Sequence, residues 1–259
     1  SSASSASSAS SASSASSAAT PGDFGSRASQ RQRNQRCRCC PDGSGEGRGG
    51  GGGGLGGLGL RTAALLVDGD AAGLVLSSRS GRATADARFA SLCAAVAVHV
   101  SASDVGDKAD AGFMLTSRAI AGVLHAAGVL RDKVLRAMST DDLHVAFAPK
   151  AFAASHVHAV AARQPLEAMG MFSSAAATFG NFGQGNYAAA NSYMDALALS
   201  RRAHGTMGSS LQIGAVRGAG MGASTFDQEQ RDNIGAITLD EFAAHLACSL
   251  TRARSTGER

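Results

Sequence analysis

Gly53-Gly54-Leu55-Gly56-Gly57-Leu58-Gly59-Leu60 is the stretch on which the fold of this chain turns. A glycine-rich turn that opens a helix lets backbone amides approach a pyrophosphate and aims the positive end of the helix at it. The apolar residues from Leu58 to Val67 supply that helix. No Gly-Lys-Ser or Gly-Lys-Thr follows the glycines, which argues against an ATP-binding P-loop. Such a turn should follow a buried strand, yet residues 37–48 are polar and rich in Arg and Gly, and no normal first strand is recognisable. Six consecutive glycines, Gly49 to Gly54, also run into the turn, so composition alone is a competing explanation for it.

Downstream, short apolar runs alternate with helical stretches. Gly73–Leu76 reads as a strand, Ala83–Leu92 as a helix, Ala94–Val100 and Ala119–Leu124 as strands. Ser139 and Asp142 fit a capping box opening a long helix that reaches about Arg163. Met169–Phe172 and Leu211–Gly214 read as further strands, Ala188–His204 and Leu239–Leu250 as helices. This is the pattern of an α/β fold with a doubly wound, Rossmann-like parallel sheet, in which ligands bind at the carboxyl ends of the strands.

Upstream the character changes. Residues 1–19 repeat Ser-Ser-Ala, and the stretch to Arg48 has no apolar periodicity, so residues 1–48 are expected to be a disordered leader and residues 49–259 a catalytic domain. The formal net charge is +4, but six arginines and three acids fall in residues 1–50. The rest of the chain is close to neutral, which argues against nucleic-acid binding by the folded part. No apolar run is long enough to span a membrane, and the start lacks a secretory signal. Cys37, Cys39 and Cys40 crowd in the leader while Cys93 and Cys248 stand alone, which gives neither a disulfide framework nor a metal site. A cytoplasmic location is expected, although the Ser, Ala and Arg of the leader also suit a plastid or mitochondrial transit peptide.

Three loops after predicted strands suit a dinucleotide. Arg79 stands in Ser77-Ser78-Arg79-Ser80, where an acid would bind the ribose of NAD; an arginine there suits a 2′-phosphate, hence NADPH. Asp104-Val105 offers an acceptor to an adenine amino group. In His125-Ala126-Ala127-Gly128 the small side chains permit a flat ligand to approach the backbone, and His125 is expected to be a packing or hydrogen-bonded residue. His144, His156 and His158 lie on the next helix without carboxylate or thiolate partners, so no metal is expected.

The most specific constellation is Phe172-Ser173-Ser174 followed by Tyr187-Ala188-Ala189-Ala190-Asn191, with Lys150 upstream. Tyr187 and Asn191 are four apart, which puts both on one face of a helix. Ketone reduction needs a proton donor for the developing alkoxide, a second donor to hold the carbonyl and a cation that makes the acid effective. Tyr187, Ser174 and Lys150 fill those roles, since a free phenol has a pKa of about 10 and an adjacent ammonium lowers it. Singly, each also reads as a helix-start Tyr, a turn Ser and a surface Lys.

GGLGGLGL, HAAGVLRD, APK and FSSAAATFGNFGQGNYAAAN together resemble the ketoreductase domains of modular polyketide synthases, within the short-chain dehydrogenase group, from about Gly53 to Ala223. The resemblance implies Tyr187 as acid, Ser174 as carbonyl donor, Lys150 as electrostatic partner and Asn191 as support. It implies that the turn and loops above, at Gly53, Gly54, Leu55, Gly57, Leu58, Gly59, Arg79, Asp104, Val105, Ala126, Ala127 and Gly128, hold NADPH. It further implies a β-ketoacyl thioester on an acyl carrier protein as substrate, and a place within a larger synthase. Leu130-Arg131-Asp132 stands where the family carries Leu-Asp-Asp, and Phe179 where the opposite stereochemical class carries Trp. Asp132 is thus the implied stereocontrol residue, with a D-configured alcohol as product. The alternative reading is a degenerate, inactive fragment that keeps a structural or nucleotide-binding role; an interaction protein acting through the basic leader is a third.

Overall fold

The computed structural model describes residues 16–19, 55–83, 86–117, 120–164, 166–220 and 235–255. Its six strands are β1 (Ser16–Ala19), β2 (Gly73–Ser78), β3 (Ala97–Ala102), β4 (Gly122–His125), β5 (Ala168–Ser174) and β6 (Ser209–Ile213), in the spatial order β3-β2-β1-β4-β5-β6. The β2·β3, β4·β5 and β5·β6 pairs are parallel. The order is that of a doubly wound nucleotide-binding sheet, which reverses direction of winding beside its central strand.

That central strand comes from the leader. Ser17–Ala19 pairs with Leu76–Leu74 and Ser16–Ala19 with His125–Gly122, antiparallel on both sides. The sequence offers no apolar strand before the glycine turn, and the sheet fills the position with Ser-Ser-Ala-Ala. Expectation of a structureless leader therefore stops short of these four residues; the remaining leader residues, Gly53 and Gly54 lie outside the described ones.

The helices are α1 (Gly57–Asp68), α2 (Ala87–Ala95), α3 (Lys108–Thr116), α4 (Thr140–Phe147), α5 (Ala153–Ala161), α6 (Ala176–Phe179), α7 (Gly185–Ala203) and α8 (Leu239–Ser255). They cover both faces of the sheet because successive strand residues point to opposite sides. Val75, Val123, Met169 and Met171 pack on Met114, Val157 and Met194 of α3, α5 and α7. Leu74 and Leu76 face Leu60, Phe89 and Leu92 of α1 and α2, and Phe172 faces Phe242 and Leu246 of α8.

Among the elements that differ from the sequence reading, two have a clear local cause. The long helix expected from Ser139 to about Arg163 does start at the Ser139/Asp142 capping box, but a π turn at Ala148–Phe152 divides it into α4 and α5. The strand expected at Ala94–Val100 begins at Ala97 instead, because Ala94 and Ala95 finish α2. Among the described residues no helix is long and apolar enough to cross a membrane.

Candidate active site

Three backbone elements deliver the proposed chemistry to one place. β5 ends at Ser174, the first turn of α7 carries Tyr187, and the π turn carries Lys150. The start of α7 is fixed by Asn186, which is fully buried. Its Nδ2 donates to Arg131 O and Asp142 O, both at 2.9 Å, and its Oδ1 accepts the Tyr187 N–H at 2.8 Å. Sequence reading passed over Asn186, although an amide at the entry to a helix is a common clamp for orphan N–H groups.

Tyr187, Ser174 and Lys150 line one pocket of about 460 Å³ together with Leu58, Ala126, Phe172 and Gln184. Tyr187 is only 8 % exposed and Lys150 2 %. The Lys150 Nζ donates to Phe172 O at 2.9 Å and lies 5.1 Å from the centroid of the Tyr187 ring, within cation–π reach. Burial lowers the Lys150 ammonium to about 7, opposed by the charge of Asp195. Burial also pushes the Tyr187 phenol above its ordinary value, while the side chains of Asn191 and Ser174 pull it down. The phenol is therefore held protonated as a donor. Asn191 is fully buried; its Nδ2 donates to Tyr187 O at 2.7 Å, and its Oδ1 has no partner among the described residues. That orphaned buried acceptor is the kind of atom a bound water or ligand satisfies.

The Lys150 shift has a consequence for stability. A lysine whose pKa is about 7 folded and 10.5 unfolded binds its proton more weakly when folded, so the folded state gains stability as pH rises between those values. Urea midpoints should therefore rise from pH 7 to pH 9 more in the wild type than in Lys150→Met. Parallel pH dependence in the two proteins would show that the ammonium is not buried.

The nucleotide side of the pocket is built around α1. Gly57 opens the helix, and a Cβ added there would lie 2.7 Å from the Ala219 Cβ, so only glycine fits. Leu58 and Ala126 line the pocket; Leu55 and Gly59 are buried beneath the turn. Ala127 and Gly128 are buried as well. Arg79 is exposed beyond the end of β2. Asp104 is exposed, its Oδ1 accepting from Gly106 N at 3.0 Å. The Val105 side chain belongs to the core, which leaves only its backbone for a ligand. A glycine cradle, a helix N-terminus and a pocket running on to Tyr187 fit a nicotinamide dinucleotide. Among the described residues no cluster of His, Cys, Asp or Glu suits a metal.

Asp132 is exposed and accepts at 2.8 Å from Nε2 of Gln184, which lines the pocket. Its loop is tied down by the Lys133 N–H donating to Gly183 O at 2.8 Å, and by Asp142. Asp142 accepts from Arg131 Nε at 3.0 Å and Lys133 Nζ at 2.8 Å as well as from Ser139. These donors, Lys133 first, hold the Asp142 carboxyl well below the usual carboxylate range. The capping residue read from sequence is thus also the anchor of the loop that carries Asp132.

With this geometry in hand, comparison with known proteins is specific. The family model described as KR domain matches residues 52–218. Polyketide synthase GfsB of Streptomyces halstedii is 42 % identical over 195 residues, covering 71 % of this chain and 4 % of that protein. Mycoketide-CoA synthase of Mycobacterium tuberculosis is 39 % identical over 178 residues, covering 64 % of this chain and 4 % of that protein. A solved structure of A-type ketoreductases from a modular polyketide synthase superposes with a TM-score of 0.70 at 34 % identity, covering 77 % of this chain and 44 % of the other. The first ketoreductase of the tylosin synthase gives 0.67 at 31 % identity, covering 78 % and 45 %. The chain thus spans a small fraction of these synthases and under half of the solved ketoreductases.

Proposed function

The chain belongs to the ketoreductase domain family of polyketide synthases, and on that premise we propose that it reduces a β-ketoacyl thioester to the β-hydroxyacyl form with NADPH. Membership makes it an oxidoreductase-type domain for a nicotinamide cofactor; the reduced phosphorylated cofactor and the carrier-bound thioester are our reading. The observation that carries it is the convergence of Tyr187, Ser174 and Lys150 on one pocket that reaches Leu58 in the first turn of α1.

A bound nicotinamide supplies the hydride. The protein's own part is to hold the ketone and deliver a proton. Ser174 Oγ donates to the carbonyl oxygen and orients it, and Tyr187 Oη gives its proton to the oxygen as negative charge develops. Lys150 places positive charge against the Tyr187 ring, which favours the phenolate left behind. Asn191 braces the helix turn below Tyr187 through its bond to Tyr187 O, and its unpartnered Oδ1 suits a water that returns a proton. Because Lys150 is an ammonium only below about 7, reduction should slow as pH rises through that value.

Gly57, Leu58, Ala126 and the remaining loop positions read from sequence would hold the dinucleotide, with Arg79 on its 2′-phosphate. Arg79→Ala is expected to weaken NADPH at least tenfold in a fluorescence titration and to leave NADH unchanged. Equal losses for both cofactors would remove Arg79 from the 2′-phosphate. The acyl chain is proposed to arrive on an acyl carrier protein, with the domain working inside a larger synthase. Asp132, held by Gln184, is proposed to meet the incoming chain and bias the face of reduction.

A second reading, a chain that keeps the sheet and the nucleotide pocket without turnover, is favoured by one observation. The central strand is four residues of Ser and Ala running antiparallel to both neighbours, a weak support for the strand ends that carry the site.

A further inference from the structure

Helices α4 and α5 form one path interrupted by the π turn at Ala148–Phe152. The hydrogen bonds record the change of pitch. The Ala148 N–H donates to His144 O, the ordinary four-residue step, whereas the Ala153 N–H reaches back five residues to Ala148 O. Pro149 is buried within this turn. A proline has no N–H to give, and in a regular α-helix its ring collides with the carbonyl four residues earlier, here that of Val145. Widening the helix by one residue relieves the collision. One extra residue also turns the helical face that follows by about 100°.

The residue that immediately follows Pro149 is Lys150, a long cationic side chain that a helix normally turns to solvent. Here its Nζ donates to Phe172 O at 2.9 Å, and its own carbonyl lies 3.3 Å from His125 Nε2. The groups that face the ammonium are His125 from β4, Tyr187 and Asp195 from α7, and the Phe172 carbonyl of β5. His125 stays neutral, lowered by burial and by Lys150 to about 4.

We propose that Pro149 is a positioning residue of the site: its missing N–H and its ring impose the π turn, and the π turn carries the Lys150 ammonium inward to Phe172 O beside Tyr187. The consequence for turnover rests on the ketoreductase reading. The placement of Lys150 does not.

The full chain has three lysines, Lys108, Lys133 and Lys150. Protein labelled with 13C at lysine Cε therefore gives three methylene signals that can be titrated individually by NMR without substrate. Pro149→Ala restores the N–H and raises helix propensity. We expect a folded variant in which the Lys150 signal titrates at least two pH units above the wild type, toward the ordinary lysine value of about 10.4, with Lys108 and Lys133 unmoved. We also expect kcat for ketone reduction to fall at least tenfold with a smaller change in KM. If Pro149→Ala does not give a folded protein, the same titration on Pro149→Ser, which restores the amide with a small polar side chain, decides the question. A Lys150 midpoint unchanged from wild type in the folded variant overturns the proposal. A chain inactive in every form that still shows the shift keeps the role of Pro149 and removes the reductase reading.

Discussion

Tyr187→Phe is expected to reduce ketone turnover by roughly 10²–10⁴-fold, the usual worth of a positioned general acid, while NADPH affinity and thermal stability stay close to the wild type. The substitution removes one hydroxyl and keeps the ring. That ring is almost completely buried in the pocket wall and faces the Lys150 ammonium, so its packing and its cation–π contact survive. The Asn191 bond to this residue goes to the backbone oxygen and is also untouched. What is lost is the proton donor together with its side-chain hydrogen bonds to Asn191 and Ser174. NADPH oxidation with a β-ketoacyl thioester and a fluorescence titration of NADPH check the two halves separately. A variant that keeps more than about a tenth of wild-type turnover would require another acid, and Ser174 would be the next candidate on the same pocket.

Deleting residues 1–19 is expected to cause the largest loss of stability of any change considered, with a melting midpoint lower by more than about 10 °C or no cooperative transition at all. The deletion removes β1 from the middle of the sheet, where it pairs with three residues of β2 and four of β4. Those residues include Leu74, Val75, Leu76, Val123, Leu124 and His125, all buried. Each buried backbone group left without a partner costs about 1–3 kcal/mol, against a total stability of about 5–15 kcal/mol for a domain. Hydrogen exchange should show the loss first at the amides of β2 and β4. Unchanged exchange there after the deletion would mean that Ser16–Ala19 does not hold the central position in solution. Deleting residues 1–48, which also removes the six leader arginines, separates the third sequence reading, since only a protein acting through its basic leader requires those arginines for its function.

The site was legible in the sequence to the extent that its residues depend on local spacing. Tyr187 and Asn191 share a helix face because they are four apart, and Ser174 and Ala126 fall at strand ends because apolar runs stop there. The Ser139/Asp142 capping box was equally visible as a three-residue interval. Tertiary partners left no such trace. Nothing in the sequence ties Asp142 to Arg131 and Lys133, or Gln184 to Asp132, because those pairs are made by chain segments brought together only by the fold.

The helix at Lys108–Thr116 was also missed. Its apolar residues have little one-sided periodicity, and Asp107, which caps it through Ala109 N and Asp110 N, carries the signal instead. The π turn escaped for a related reason: helical periodicity runs continuously across it, and only Pro149 marks the interruption. β1 is the clearest case of tertiary override. Ser and Ala have little strand preference, and the demand of β2 and β4 for backbone partners places them in the sheet.

The measurement that tests the central claim most directly is conversion of a β-ketoacyl thioester by the full chain with NADPH, followed by mass spectrometry of the acyl product. The account predicts a β-hydroxyacyl thioester, richer by two hydrogens, formed in step with NADPH consumed. NADPH that binds but is not consumed, with the ketone recovered unchanged, would contradict it and leave a nucleotide-binding fragment in its place.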